Sequence, residues 1–187
     1  MASNEPVPVA LAAAHDTPLG SVWAAMSEHG LLFVDFQVTE QEVVHAVQRR
    51  GYRVGGLDPA RLSECLHQIS EYLAGKRQTF DIPIDWRGFT PFQVQALQAT
   101  CAIPYGQTRT YGELARQIGR TRAARAVGRA EATNPMPLVI PCHRVIGEDG
   151  KLHGYGAGNG LETKAWLLRM ESTGNPMTGT SRKTGYR

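Results

Sequence analysis

The stretch "TYGELARQIGRTRAARAVGRAEATNP", residues 110–135, decides how the fold is read. Thr110 followed three residues later by Glu113 is a capping box, the pattern with which a helix begins. "TYGELARQIG" then reads as one short helix closed by Gly119. The link "RTR" leads to a second helix, "AARAVGRAEATNP". Two short helices joined this tightly form a helix-turn-helix. Five arginines and no acid lie between Arg116 and Arg129. The second helix is rich in Ala and Gly, so its surface is slim enough to enter a groove, and its arginines flank that slim face where they can meet phosphates.

Working outward, "DWRGFTP" separates this basic half from what precedes it. Thr90, Pro91 and Gln93 supply cap, first helical position and box partner for another helix. Phe92, Ala96, Ala99 and Ile103 fall on its apolar face, with Cys101 beside that face as a packing residue. Upstream, residues 17–38 read as a hairpin, "SVWAAMS" and "LLFVDF" around "EHG". "TEQEVVHAVQRRG" is a helix from the Thr39–Glu42 capping box to Gly51. "DPARLSECLHQISEYLAGK" is another, with Leu62, Leu66, Ile69 and Leu73 at helical spacing and Cys65 as packing. "RQTFDIPID" reads as one more strand, and "MASNEPVPVALAAAHD" as a frayed start without the basic residues of a signal peptide.

Composition sets limits on function. The chain has 187 residues, room for one large domain or two small ones. No apolar run approaches the roughly 18 residues of a membrane helix. Three scattered cysteines, with no C-x-x-C pair, argue against a structural metal site and fit a reducing compartment. Residues 1–88 carry seven basic and eleven acidic side chains, whereas residues 89–171 carry ten and six. The basic half is the one expected to meet a polyanion.

Downstream of the two helices, "PLVIPCHRVIG", residues 137–147, places Cys142, His143 and Arg144 together. Leu138–Ile140 reads as a buried extended segment broken by Pro141, a break that can turn the cysteine into a pocket. A thiol of ordinary acidity needs a base or cation nearby to react at neutral pH, and His143 and Arg144 supply both types. A third group usually orients such a histidine. Glu171, ending the helix "LETKAWLLRME", is the candidate. Taken alone, these residues leave open a core thiol, a metal ligand and a nucleophile.

"IPYGQTRTYGELA", "AARAVG", "NPMPLVIPCHRVIG", "GYGAG" and "LETKAWLL" together resemble the O6-alkylguanine-DNA alkyltransferases, in family order, from about Phe92 to Glu171. The resemblance implies an α+β fold. A small N-terminal α/β, RNase H-like support unit (residues 1–88) precedes a helical, winged helix-turn-helix-like DNA-binding domain (89–171) that carries the active site. A basic, disordered tail (172–187) follows. It implies transfer of an alkyl group from O6-alkylguanine in double-stranded DNA to Cys142, with O4-alkylthymine a second candidate substrate. The protein would be consumed after one turnover. No cofactor and no metal is implied, and the protein is expected to be a monomer, cytoplasmic and nucleoid-associated (nuclear in a eukaryote), with no membrane partner.

By the same resemblance, His143 takes the thiol proton through a water, and Glu171 holds the histidine. Tyr111 hydrogen-bonds the leaving oxygen, and Asn134 stabilises the turn that presents the cysteine. Arg125 fills the gap left by the flipped base, while Tyr155 and Gly156 line the base pocket. Tyr111, Gly112, Arg120, Ala124, Gly128 and Arg144 join Arg125 in contacting DNA through the minor groove. Three features depart from the pattern. Ala96-Leu97 stands on the helix at 92–103. Arg129 and Glu131 stand on the recognition helix, where Glu131 would weaken phosphate attraction. The loop from Tyr155 to Leu161 is about two residues longer than is usual for the family. Competing readings are a lesion sensor without transfer, a Cys-His-Glu hydrolase, and a plain winged-helix protein with Cys142 in its core.

Overall fold

The computed structural model describes residues 6–174. Its first half is built on a four-stranded sheet of order β3-β2-β1-β4. The strands are β1 (Val7–Thr17), β2 (Gly20–Ser27), β3 (Gly30–Phe36) and β4 (Tyr52–Val54). β2 pairs antiparallel with both β1 and β3, giving the expected hairpin, and β4 adds in parallel to β1. From Val7 onward the segment read as a frayed start is therefore β1; its residues 1–5 lie outside the described residues. Its alanines have little strand propensity of their own, but pairing on both edges overrides that preference.

Helix α1 (Glu40–Arg49) begins at the Thr39–Glu42 capping box. A 3₁₀ turn over Pro59–Leu62, capped by Asp58, leads into α2 (Ser63–Leu73). Leu62, Leu66, Ile69, Leu73 and Cys65 are all buried in the core against the sheet. The segment 77–85, expected as a strand, is not one. It touches β3 only at an isolated Leu31–Ile84 bridge, because Pro83 has no N–H to continue a ladder. Two backbone hydrogen bonds still fasten it there, Leu31 N to Pro83 O (2.8 Å) and Asp85 N to Leu31 O (2.9 Å).

The second half is helical. α3 (Pro91–Cys101) starts at Thr90, with the box to Gln93 complete. Ala96, Ala99 and Ile103 are buried and Phe92 packs beside them, whereas Cys101, read as packing, is exposed. α4 (Tyr111–Gln117) and α5 (Ala124–Ala132) form the helix-turn-helix, and α4 begins at the Thr110–Glu113 box. Two-residue strands β5 (Arg109–Thr110) and β6 (Val145–Ile146) pair in parallel beside it. The closing helix α6 (Leu161–Thr173) ends at Gly174 in a left-handed cap. Ser172 and Thr173, placed in a disordered tail by the sequence reading, complete this helix; the rest of that tail, from residue 175, lies outside the described residues.

The two halves meet along β3. Val34 N donates to Pro135 O at 2.8 Å, so the sheet edge is tied to the segment leading to the cysteine. The loop before α6 also seats on the sheet. Gly158, at φ +54°, lies where a Cβ would fall 2.6 Å from the Phe36 ring, so only glycine lets the loop pack that closely. Among the described residues no helix is long and apolar enough to cross a membrane.

Candidate active site and DNA-facing helix

The cysteine is presented by a turn. Leu138–Ile140 is buried as expected, but it is not extended. Leu138 has φ +74°, a conformation that costs a branched side chain of the order of 1–3 kcal/mol and persists only where the surroundings enforce it. Asn134 does the enforcing. Its Nδ2 donates to Ile140 O (2.9 Å) and its Oδ1 accepts from Met136 N (3.0 Å), bracketing the strained residue. Met136 and Leu138 are wholly buried beneath it. Pro141 then starts a 3₁₀ turn over Cys142–Arg144. A 3₁₀ turn, unlike a strand, does not send neighbouring side chains to opposite faces, so His143 need not point away from Cys142.

His143 is wholly buried, and its Nε2 lies 2.9 Å from Glu171 Oε1. The same carboxylate accepts from Tyr72 Oη at 2.6 Å. Arg144 donates to it through Nη2 (2.8 Å) and Nε (3.0 Å), and Gly106 N donates at 2.9 Å. Burial pushes the Glu171 carboxyl up, but the hydrogen bonds it accepts from His143 and Arg144, together with the Arg144 charge, outweigh it and hold it at about 2. Burial also pushes His143 down, so the imidazole is neutral and the permanent countercharge to Glu171 is Arg144. A neutral imidazole facing a carboxylate carries its hydrogen on Nε2. Its lone pair then sits on Nδ1, which has no hydrogen-bond partner among the described residues and is free to accept a proton.

Burial and the Glu131 charge push the Cys142 thiol up to about 12, against a hydrogen bond from Asn134 and the Lys164 charge. The resting group is a thiol, which needs a base to become a nucleophile. Lys164 is itself buried, its Nζ clamping Val145 O (2.6 Å) and His153 O (2.9 Å). The Tyr111 hydroxyl reaches the same His153 carbonyl at 3.4 Å, and its ring lies against Gly128 of α5. Tyr155 packs against the main core with its hydroxyl buried and unpartnered among the described residues. Gly156 is exposed, with only Ala132 O within reach of an added Cβ, at 3.8 Å.

On α5, Val127, Ala130 and Glu131 face inward, while Arg125 and Arg129 are exposed, as are Arg120 and Arg122 in the preceding link. No side chain caps the start of α5, so its first amides join the arginines as an anion-receptive edge beside Ala124. Gly112 is half-buried at the start of α4, next to Glu148.

Two expectations change. Arg144 is not on the DNA-facing surface. It is buried, and its guanidinium is occupied by Glu171 and by Ile103 O (2.7 Å), so no phosphate can reach it. Glu131 does not face phosphates either. It is buried against Thr100, whose hydroxyl lies 2.7 Å away, and burial raises it to about 7. The sequence reading missed Tyr72. The signal available was a tyrosine three residues after Ile69, on the buried face of α2, where a phenol must find a partner. Among the described residues no three His, Cys, Asp or Glu side chains are placed to hold a metal ion.

Known proteins share this architecture. Residues 11–86 match the ribonuclease-like domain of 6-O-methylguanine DNA methyltransferase, and residues 91–173 match its DNA-binding domain. A methylated-DNA–protein-cysteine methyltransferase of Mycobacterium tuberculosis is 40% identical over 161 residues, covering 86% of this chain and 92% of that one. A constitutive one of Bacillus subtilis is 38% identical over 164 residues, covering 83% and 92%. The crystal structure of Mycobacterium tuberculosis OGT in complex with DNA superposes with a TM-score of 0.75 at 36% identity, covering 94% of this chain and all of that one. On this evidence the chain belongs to the methylated-DNA–protein-cysteine methyltransferase family.

Proposed function

We propose that this protein repairs O6-alkylguanine in double-stranded DNA by moving the alkyl group onto Cys142, once per molecule. The observation that carries the reading is the buried Cys142-His143-Glu171 constellation, with His143 Nδ1 unpartnered, behind an arginine-lined helix. O6 of guanine lies inside the base stack, so the nucleotide must be extruded before sulfur can approach the alkyl carbon in line. His143 Nδ1 accepts the thiol proton, through one water. The sulfur forms a bond to the alkyl carbon as the carbon–O6 bond breaks, and its electron pair stays on the guanine oxygen. Tyr111 donates a hydrogen bond to that oxygen. The product is a thioether, which offers water no easy exit, so the protein is not regenerated. No cofactor enters this balance.

Arg125 fills the space of the extruded base. Arg120, Ala124 and Gly128, with Tyr111 and Gly112, contact the backbone and minor groove, a mode suited to repair at any sequence. Tyr155 and Gly156 border the extruded base, and one copy of the chain suffices. In this reading residues 89–171 carry the chemistry and residues 1–88 support them. The test compares wild type with Cys142→Ser on duplex DNA containing O6-methylguanine. Wild type is expected to restore one guanine per protein molecule. The variant is expected to bind the DNA and restore none. Catalytic turnover by wild type, or restoration by the variant, would overturn the proposal.

A further inference from the structure

Tyr72 belongs to α2, in the first half of the chain, 71 residues before His143. It is wholly buried, and its ring is fixed by Phe80 (centroids 5.1 Å apart) and edge-on by Tyr105 (6.1 Å). Its hydroxyl reaches across to the active site, 2.6 Å from Glu171 Oε1 and 3.2 Å from His143 Nε2. Glu171 is an ionised carboxylate and has no hydrogen to give, so the phenol proton goes to Oε1. The phenol oxygen is left as an acceptor facing Nε2. His143 Nε2 therefore stands between two acceptors, Glu171 Oε1 and Tyr72 Oη, and must carry the ring hydrogen.

We propose that Tyr72 is a positioning residue for alkyl transfer, by which the N-terminal unit shares Glu171 with His143 and so sets the tautomer and basicity of the histidine. The proposal rests on the alkyl-transfer reading above. It gives the N-terminal unit a part in the chemistry beyond support. Two effects of the hydroxyl oppose each other. Its short bond to the carboxylate draws charge away from the Glu171–His143 contact and disfavours imidazolium. Its longer contact to Nε2 favours imidazolium slightly. Charge-assisted O–H···O bonds of 2.6 Å are the stronger class, so the first effect wins. The other groups around His143 are Lys164 and Glu171 from α6, Arg144 on its own turn, and Cys142 before it. Tyr72→Phe leaves all of them in place and keeps the ring packing.

The experiment measures the single-turnover rate of wild type and Tyr72→Phe with O6-methylguanine duplex DNA and with free O6-benzylguanine, from pH 5.5 to 9. The acid limb of the variant is expected to move up by about half to one pH unit, a roughly three- to tenfold slower reaction on that limb. Both substrates should show it, with little change on the alkaline side. The His143 ¹³Cε1 resonance should titrate higher by the same amount, a readout that does not need activity. A variant slowed equally at every pH has lost only structure, and superimposable profiles leave the hydroxyl without a role; either result overturns the inference. Absence of any adduct in wild type would instead overturn the underlying alkyl-transfer reading.

Discussion

Replacing Glu171 by Gln removes the charge on which the buried part of the site is centred. The carboxyl titrates at 4.5 when free and is held at about 2 here, with its side chain fully shielded from water. At about 1.4 kcal/mol per pH unit, that separation corresponds to about 3 kcal/mol of stability. A depressed carboxyl gives this stability above its unfolded-state value and loses it as pH falls through the folded one. The wild type should therefore weaken steeply between pH 4.5 and 2, and Glu171→Gln should lack that segment of its pH dependence. At neutral pH the variant also leaves the buried Arg144 guanidinium unpaired, a defect of about 3–5 kcal/mol that overlaps with the first figure rather than adding to it. For a chain of this length about 3 kcal/mol is a fall in melting temperature of roughly 6–12 °C. Calorimetry at pH 7, and urea unfolding at a series of pH values, would read both quantities. The Gln amide can also donate to His143 Nε2, driving the ring hydrogen to Nδ1 and removing the base. A histidine held in the wrong tautomer costs about 10⁴-fold in a Ser-His-Asp site, and a loss of that order is expected here. A variant that melts within about 2 °C of wild type, with the same acid dependence and unimpaired transfer, would refute the reasoning.

Three further outcomes are expected. Arg125→Ala should slow repair in duplex DNA more than reaction with free O6-benzylguanine, and equal effects in paired rate measurements would remove its role as the inserted side chain. Asn134→Ala leaves Met136 N and Ile140 O without their partner, a loss of about 1–3 kcal/mol, and should lower both the denaturant midpoint and the transfer rate. Glu131, raised from 4.5 to about 7, stabilises the fold when protonated and loses that contribution as pH rises through 7. Glu131→Gln should therefore melt above wild type at pH 8, by up to about 3 kcal/mol of stability, with the difference gone near pH 4.5.

Local signals carried much of this molecule into view. The three capping boxes at Thr39, Thr90 and Thr110 are written in four residues each, and all three helices begin there. The proline-cysteine-histidine sequence pointed to a nucleophile because base and thiol are adjacent in the chain. What stayed hidden depends on partners far away in sequence. β1 is a strand because β2 and β4 lie beside it, and its Ala-rich sequence does not declare that. Arg144 looked like a phosphate ligand because charge alone does not say whether an arginine faces water or a buried carboxylate. Glu131 misled for the same reason, since its burial is decided by Thr100 on another helix. Tyr72 sat in the N-terminal unit, and the packing of that unit against Met136, Leu138, Leu167 and Met170, with the Val34–Pro135 hydrogen bond, brings it to Glu171.

The most direct test is a mass measurement. Protein in excess is incubated at neutral pH with duplex DNA containing O6-methylguanine, then weighed intact and after digestion. One added methyl per reacted molecule is expected, carried on the peptide containing Cys142, in an amount equal to the guanine restored. Absence of any adduct while guanine is restored, or an adduct on Cys65 or Cys101 instead, would contradict the assignment of Cys142 as the acceptor.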